Sequence, residues 1–360
     1  MARARPRDLG VAIGTLPAGA ANAITDVPGV RVGHTTVWSD GPGGVVRSGV
    51  TAVLPDALPS LFERPVPAGA AVLNGAGELT GSLQIAEWGL LEAPVMLTST
   101  MAVGRAYDAA VLAMIDASPR VGTDDVVIPV VGECDDSYLS DARSMGVTVA
   151  DARAAIDCAV PGVIASGAIG AGTGMVAFGV KGGVGTASRL LDGTGWTVGV
   201  LALVNFGEPA RLVIDGCPVG RALATNGTDG AVGAPAGSCI VVIATDAPLD
   251  GRACERLARR AGLGLARVGS TAHHGSGEIF VAIATGLRRE RDGDETAGGL
   301  VGPALDPLFG AVVDATEEAV IDSLFVADTV VGRAGRRVDG LPVEEVLALL
   351  RSGGPRLRSG

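Results

Sequence analysis

The sequence predicts an α/β sandwich with a large central sheet region. The chain of 360 residues is 48% hydrophobic but only 3% aromatic, so its core would consist of aliphatic side chains. Its 55 glycines, about twice the usual share, indicate close backbone approaches. The second half alternates apolar runs with helical segments, as helices packed on a sheet do. No repeat or linker divides the chain, so we expect one domain over residues 1–360.

In the first half, short apolar runs between turn residues predict strands, and helical spacing predicts helices. The predicted strands are residues 9–13, 30–34, 50–54, 70–73, 95–98 and 126–131. The predicted helices are residues 83–91, 101–117 and 149–160. The strand at 126–131 is expected to end in an acidic loop, residues 132–138.

The second half is predicted to contain longer strands around one extended loop. The strands are residues 175–180, 184–190, 197–204, 239–244 and 279–284. The helices are residues 248–261, 306–330 and 342–351. The loop at 222–237 has no helical period, and its Asn-Gly and Asp-Gly pairs make it the best candidate for an exposed, cleavable segment.

Charge and cysteine content exclude several classes of function. The net charge of −11 argues against nucleic acid and anionic membranes as partners. The five cysteines are odd in number and have no CxxC spacing. They indicate reduced thiols in a cytoplasmic protein, and neither disulfides nor a zinc site.

Two segments resemble membrane-directed sequences. Arg3, Arg5 and Arg7 precede an apolar run, as in a signal peptide, but glycine and proline interrupt that run. Residues 162–180 carry no charge, but six of these residues are glycine, which makes a poor membrane span. We expect buried strands joined by glycine turns in the second segment and a cytoplasmic protein overall.

Ser238 stands at the first position of a predicted strand, directly after Gly237. Cleavage of the Gly237–Ser238 bond would give Ser238 a free α-amine, which can act as the base for its own hydroxyl. A surface loop that merely enters a core strand would produce the same pattern. The stretch therefore permits a self-cleaving hydrolase without requiring one.

Three polar residues stand at other strand ends. Ser276 and Glu278 are two residues apart in an extended segment, so their side chains point to one side. A hydroxyl and a carboxylate would then sit together, within reach of a neighbouring nucleophile. Asn205 ends an apolar strand, where its amide could donate to an oxyanion. A solvated glutamate in a polar loop and an asparagine that caps a turn remain the alternatives.

The residues predict no metal or organic cofactor. His34 is expected to be a core or edge residue, and the adjacent His273 and His274 would point in opposite directions in an extended chain. The glycine-rich run at 167–174 lacks the strand-then-helix context of a dinucleotide-binding loop. If the protein is a hydrolase, a mechanism without histidine is favoured.

Motifs along nearly the whole chain resemble the DmpA family, the group of L-aminopeptidase/D-esterases and β-peptidyl aminopeptidases. They are NAITDV at 22–27, GVRVGHT at 29–35, GELTG at 77–81, GTGM at 172–175, KGGVGTASR at 181–189, AGS at 236–238, ATDAPL at 244–249 and GSGE at 275–278. The resemblance implies a four-layer αββα sandwich, similar in layout to N-terminal-nucleophile (Ntn) hydrolases. It also implies self-cleavage into an α chain, 1–237, and a β chain, 238–360, in a homo-oligomer that would be a tetramer of processed pairs.

The resemblance also implies roles for the matching residues. Ser238 would be the nucleophile and new N-terminus, with Ser276 and Glu278 as the assisting pair. Asn205 would be the oxyanion donor. Tyr138 would be a wall and hydrogen-bonding residue of the substrate pocket.

Further positions bear on the substrate. The resemblance places Glu133 where it would hold the substrate's amino group. Cys239 departs from the family pattern, in which an aliphatic residue is expected, and Glu278 stands where some relatives carry Asp. His273 and His274 lie near the site and leave the substrate preference open.

The leading hypothesis is a self-processing serine aminopeptidase or amidase that releases N-terminal amino acids from small peptides, amides or esters. An acyltransferase of the ornithine acetyltransferase type shares the architecture, but it is expected to use threonine as nucleophile. A non-catalytic binding relative would lack one of the four site residues, and Ser238, Ser276, Glu278 and Asn205 are all present. The choice among L-, D- and β-amino acid substrates stays open.

Overall fold

The computed structural model describes residues 3–225, 237–293 and 298–352. The strands are β1 Arg31–Gly41, β2 Gly44–Leu54, β3 Val66–Gly75, β4 Leu90–Leu91, β5 Val95–Ser99, β6 Val130–Cys134, β7 Val176–Ala177, β8 Val180–Lys181, β9 Gly183–Leu190, β10 Thr197–Asn205, β11 Ser238–Thr245, β12 Gly277–Ala284, β13 Val330–Val331 and β14 Arg337–Val338. The helices are α1 Leu58–Glu63, α2 Ser82–Trp88, α3 Val103–Ala117, α4 Val149–Asp157, α5 Val219–Thr225, α6 Gly251–Ala258, α7 Ala261–Arg267, α8 Asp306–Val326 and α9 Val343–Arg351.

Two sheets stack face to face at the centre of the fold. The smaller sheet has the order β1-β2-β5-β6, and the larger sheet has the order β4-β3-β12-β11-β10-β9. Their facing side chains form one apolar core, in which Val53 and Leu97 of the smaller sheet join Leu203 and Val242 of the larger. This inner core holds the two sheets together.

Helices cover the outer face of each sheet. Helices α3 and α4 pack on the smaller sheet through a second core that is rich in alanine. Helices α6 and α8 pack on the larger sheet through a third core, and α7 packs against α8. The four-layer αββα arrangement implied by the resemblance is therefore confirmed.

Strands β10, β11 and β12 form the middle of the larger sheet because their sequences are almost wholly apolar. In β11, Val241 and Ile243 face the helices while Val242 and Ala244 face the other sheet. A strand buried on both faces requires such a continuous apolar run. Strand β11 pairs antiparallel with β10 and parallel with β12.

Several predicted boundaries are wrong. Residues 9–13 do not form a strand, although Val11 and Ile13 are buried in the outer core. Strand β6 begins four residues later and ends three residues later than expected. It therefore includes Glu133 and Cys134, which the sequence places in the acidic loop. Helix α7 continues beyond the predicted stop at Gly262.

The predicted loop at 222–237 is also corrected in part. Helix α5 extends to Thr225, so the first four residues of that loop are helical. Residues 226–236 lie outside the described part of the chain, and Gly237 directly precedes β11.

The N-terminal arginines are held by helix α8. Arg5 Nε lies 2.8 Å from Asp322 Oδ1, and Arg7 Nε lies 2.7 Å from Glu318 Oε1. The side chains of Asp322 and Glu318 are almost completely buried, so these arginines serve the packed fold. Among the helices that the structure describes, none is long and apolar enough to cross a membrane.

Candidate active site

Four of the predicted site residues meet at one end of the larger sheet. Ser238 is the first residue of β11, and its Cα partners are Asn205 at the end of β10 and Gly277 at the start of β12. Ser276 and Glu278 flank Gly277, so the ends of three adjacent strands bring Ser238, Asn205, Ser276 and Glu278 together.

Ser238 is buried with an uncommitted hydroxyl. Its exposure is 6%, and its Oγ has no hydrogen-bond partner among the described residues. The carbonyl oxygen of Gly237 accepts a hydrogen bond of 3.2 Å from the Gly277 N–H. A Cβ at position 237 would lie 2.8 Å from the Asn205 carbonyl oxygen and the Phe206 Cα. The residue before Ser238 is thus held close to its neighbours, which favours glycine there.

Ser276 and Glu278 form the contact that their spacing predicts. Ser276 Oγ donates a short hydrogen bond to Glu278 Oε1, and both residues are buried. Glu278 Oε2 has no hydrogen-bond partner in the described chain. Burial raises the pKa of Glu278 above the ordinary glutamate value, although the Ser276 hydrogen bond opposes the shift. The pair therefore offers a carboxylate that can accept a proton at a higher pH than a solvated glutamate.

Asn74, which the sequence analysis left unassigned, holds the turn that presents this pair. Its Nδ2 donates to the carbonyl oxygens of His273 at 2.7 Å and Ser276 at 2.6 Å. The available signal was its position, immediately before a glycine-rich loop at the end of a strand.

The amide of Asn205 has a defined orientation. Its Oδ1 accepts from the Val176 N–H at 2.8 Å, and its Nδ2 donates to the Asp135 carbonyl oxygen at 2.9 Å. Because Nδ2 carries two hydrogens, one of them is left for another acceptor.

Lys181, another residue that the sequence analysis missed, stabilises the segment that orients Asn205. Its Nζ donates to the carbonyl oxygens of Gly172, Met175 and Gly182 at 2.9, 2.6 and 2.7 Å. Burial lowers the pKa of Lys181 to about 7. The signal in the sequence was a single lysine that ends a long uncharged, glycine-rich stretch.

Glu133 lies at the end of β6 in the smaller sheet. Its Oε1 accepts from the Glu78 N–H at 3.1 Å, and its Oε2 accepts a short hydrogen bond from Thr100 Oγ1. Burial raises the pKa of Glu133. Both carboxylate oxygens thus have partners from other segments.

Tyr138 lies in the loop after β6. The guanidinium carbon of Arg336 is 4.7 Å from the centroid of its ring, and Arg336 Nη1 donates to the Tyr138 carbonyl oxygen at 3.1 Å. Tyr138 also packs against a small apolar cluster that includes Leu139, Val330 of β13 and Val338 of β14. Arg336 therefore limits the movement of Tyr138.

A cavity of about 170 Å³ opens beside Gly237. Its described lining includes Phe206, Glu208, Gly237, His273, Ser276 and Glu278. Tyr138, Glu133 and His274 are not among the described residues that line it. Of the two adjacent histidines, His273 alone thus faces this cavity.

His34 lies in β1, where its Nδ1 is 2.9 Å from Thr51 Oγ1 and burial lowers its pKa to about 4. Within the described ranges, no group of three or more His, Cys, Asp or Glu side chains is arranged to hold a metal ion.

Comparisons with known proteins agree on one family. The sequence profile of peptidase family S58 matches residues 22–338. The chain is 42% identical to the β-peptidyl aminopeptidase BapA of Sphingosinicella microcystinivorans, over 96% of this chain and 92% of that protein.

Two solved structures are similar to this chain over nearly its whole length. A β-aminopeptidase from Burkholderia sp. has a TM-score of 0.89 and 41% identity, over 98% of this chain and 100% of the other. The other is an L-aminopeptidase D-Ala-esterase/amidase from Ochrobactrum anthropi, described as a variant of the Ntn-hydrolase fold. It has a TM-score of 0.87 and 38% identity, over 97% of this chain and 98% of the other. With its four-layer sandwich and nearly full-length similarity to these enzymes, the chain belongs to peptidase family S58 and is a hydrolase of the aminopeptidase type.

Proposed function

We propose that this aminopeptidase cleaves its own Gly237–Ser238 bond and then uses Ser238 as an N-terminal nucleophile. The observation that carries the proposal is the position of Ser238. A buried, unpartnered hydroxyl follows a glycine whose carbonyl oxygen already accepts a hydrogen bond, and it lies beside a serine–glutamate pair. A nucleophile with an adjacent base and a polarised carbonyl is what acyl transfer requires.

Self-cleavage would proceed through an ester. Ser238 Oγ adds to the Gly237 carbonyl carbon, and the Ser276–Glu278 pair takes the hydroxyl proton. The proton then passes to the Ser238 nitrogen as the Gly237–Ser238 amide bond breaks. Water hydrolyses the resulting ester, which releases the Gly237 carboxylate and leaves Ser238 with a free α-amine and a free hydroxyl.

Turnover would repeat this chemistry on a substrate. The new α-amine of Ser238 takes the hydroxyl proton during attack and returns it to the leaving amine. The Ser276–Glu278 pair takes or steers this proton as it moves among the hydroxyl, the Ser238 α-amine and the leaving amine. The second Nδ2 hydrogen of Asn205 donates to the oxyanion of the tetrahedral intermediate.

The substrate would be a small peptide, an aminoacyl amide or an aminoacyl ester. The relatives' names point to β-peptides and to L- and D-aminoacyl compounds. We propose that Glu133 holds the amino group of the substrate and that Tyr138 forms a wall of its pocket. No metal or organic cofactor is part of this proposal.

A homo-oligomer, a tetramer of processed pairs, and a cytoplasmic location complete the proposal. All five cysteines have free thiols, as a reducing compartment allows. We infer no binding to nucleic acid or to membranes, because the net charge of −11 disfavours both.

The experiment is steady-state hydrolysis of a panel of L-, D- and β-aminoacyl p-nitroanilides by wild type and by Ser238→Ala. The wild type is expected to hydrolyse at least one of these series, and Ser238→Ala none. Circular dichroism controls for folding. A folded Ser238→Ala variant that hydrolyses the same substrate at the wild-type rate would refute Ser238 as nucleophile.

A further inference from the structure

Glu208 stands at the mouth of the cavity beside Gly237, and it has no part in the chemistry described above. We propose that its carboxylate makes the enzyme selective for substrates whose N-terminal residue carries a cationic side chain. This inference rests on the proposed function, because it takes Ser238 as the nucleophile and the cavity as the site of the substrate's acyl residue.

The position of Gly237 identifies the acyl side of the site. In self-cleavage Ser238 attacks the carbonyl carbon of Gly237, so Gly237 occupies the place that the substrate's N-terminal residue takes in turnover. Gly237, Ser276 and Glu278 all line the cavity of about 170 Å³. A free substrate has no preceding chain, so its first residue can turn away from the close contact that a Cβ at position 237 would make with Phe206, and its side chain would then extend into this cavity.

The charged groups around the cavity favour a cation. Its described lining contains the carboxylates Glu208 and Glu278 and the imidazole of His273, but no lysine or arginine. The net charge of −11 adds a negative field. An acidic side chain would meet two carboxylates there, whereas an ammonium would be attracted to both, although Glu208 also pairs with Arg211 just outside the lining.

Glu278 and Glu208 lie at different depths in the site, so they meet different parts of the substrate. Glu278 is fully buried, whereas the side chain of Glu208 is 45% exposed. Glu208 therefore lies nearer to the cavity mouth, where the end of a long side chain would arrive. The substrate's amino group is only one or two carbons from the reacting carbonyl, so it would lie deeper.

The present partners of Glu208 can be displaced. Its Oε1 is 3.1 Å from His273 Nε2, and its Oε2 is 2.8 Å from Arg211 Nε. All three side chains are about half exposed, and such pairs contribute little to stability. His273 is anchored through its backbone, because its carbonyl oxygen accepts from Asn74 Nδ2 and the Ser276 N–H. The His273 imidazole can therefore move away from Glu208 Oε1, which then accepts from a substrate ammonium, while the backbone contacts keep the turn in place.

The test compares lysyl, norleucyl and glutamyl p-nitroanilides, in whichever series the wild type hydrolyses best. Lysine and norleucine differ mainly in the terminal ammonium, so the ratio of their kcat/KM values isolates its effect. We expect Glu208→Gln to lower the lysyl-to-norleucyl ratio by about three- to tenfold. It should also raise the glutamyl-to-norleucyl ratio. His273→Gln, which removes the competing imidazole, should keep the lysyl preference.

The matched control is Glu290→Gln. It makes the same change in net charge at an exposed glutamate whose partner is Arg64, at 3.0 Å. A long-range effect of net charge would shift the ratio in both variants, and that result would overturn the proposal. An unchanged ratio in Glu208→Gln, or an equal loss on lysyl and norleucyl substrates, would also overturn it. Neither outcome contradicts the proposed function. That function is refuted only if a folded Ser238→Ala variant hydrolyses the norleucyl substrate at the wild-type rate.

Discussion

At the scale of single residues, Ser276 and Glu278 lie two positions apart in an extended segment and form one hydrogen-bonded pair. The serine hydroxyl donates to one carboxylate oxygen, and the other oxygen has no partner in the described chain. A buried carboxylate oxygen without a partner destabilises the fold, and a catalytic role is one reason for a native protein to keep it. Its position next to the first residue of β11 suggests that the function is proton transfer at Ser238.

Replacement of Glu278 by glutamine tests this role. Glutamine keeps the shape but cannot accept a proton, so we expect turnover to fall by about 10²–10⁴-fold. Hydrolysis of an aminoacyl p-nitroanilide by wild type, Glu278→Gln and Ser238→Ala measures the loss, with circular dichroism as the folding control. A folded Glu278→Gln enzyme that keeps more than about a tenth of the wild-type rate would remove Glu278 from the mechanism.

The pH dependence of turnover is a second test at this scale. Burial raises the pKa of Glu278 above the ordinary value of 4.5. Turnover needs the Glu278 carboxylate as well as the unprotonated Ser238 α-amine, so kcat should be low below the raised pKa of Glu278 and rise as the pH increases through it. The measurement is kcat across the acidic range in wild type. An acidic limb with its midpoint at or below the value of an unperturbed glutamate would contradict the assignment.

Contacts within one regular strand could be predicted from the sequence, whereas long-range contacts and contacts within irregular loops could not. The contact between Ser276 and Glu278 follows from strand geometry alone. The role of Asn74 depends on segments that the fold brings together, whereas that of Lys181 depends on the shape of a loop within nine residues of it. Asn74 bonds to residues about 200 positions away, and Lys181 bonds to carbonyls of an irregular loop. Neither has a periodic pattern that marks it.

At the scale of elements, helix α8 joins the N-terminal segment to the larger sheet through buried charges. Glu318 accepts hydrogen bonds from Arg7, Arg189 and Asn22. Burial alone would raise the pKa of Glu318, but the hydrogen bonds and charges of Arg7 and Arg189 outweigh it and lower the pKa. The side chain of Arg189 is fully buried, so Glu318 is essential to its charge balance.

Glu318→Gln should destabilise the fold strongly. It leaves the buried Arg189 guanidinium without its carboxylate, a change that costs about 3–5 kcal/mol in comparable buried pairs. The free energy of unfolding in urea measures the effect. The control is Glu255→Gln, which breaks the exposed pair with Arg259 and should cost about 1 kcal/mol or less. Equal losses in the two variants would show that burial does not strengthen the Glu318 network.

The long elements were predicted better than the short ones. Strands β10, β11 and β12 are uninterrupted apolar runs, which identify a strand buried on both faces. The apolar run at 9–13 indicates burial of Val11 and Ile13 but not their conformation, since a packed coil buries side chains equally well. Helix α1, with six residues, is too short for a helical period to be recognised.

At the scale of the whole molecule, the proposed cut would leave two chains that share one sheet. In the larger sheet β12 and β11 belong to residues 238–360, while β3 on one side and β10 on the other belong to residues 1–237. The α8 helix of the second chain packs on β9 and β10 of the first. Cleavage would therefore free the N-terminus of Ser238 without separating the chains.

Self-cleavage that makes Ser238 an N-terminal nucleophile can be measured by intact-mass spectrometry and N-terminal sequencing of the purified protein. Wild type should elute as one species from a sizing column under native conditions and yield two masses on denaturation, one of which begins at Ser238. Ser238→Ala should yield a single full-length mass. A single full-length mass from a wild-type preparation that turns over substrate would contradict the claim.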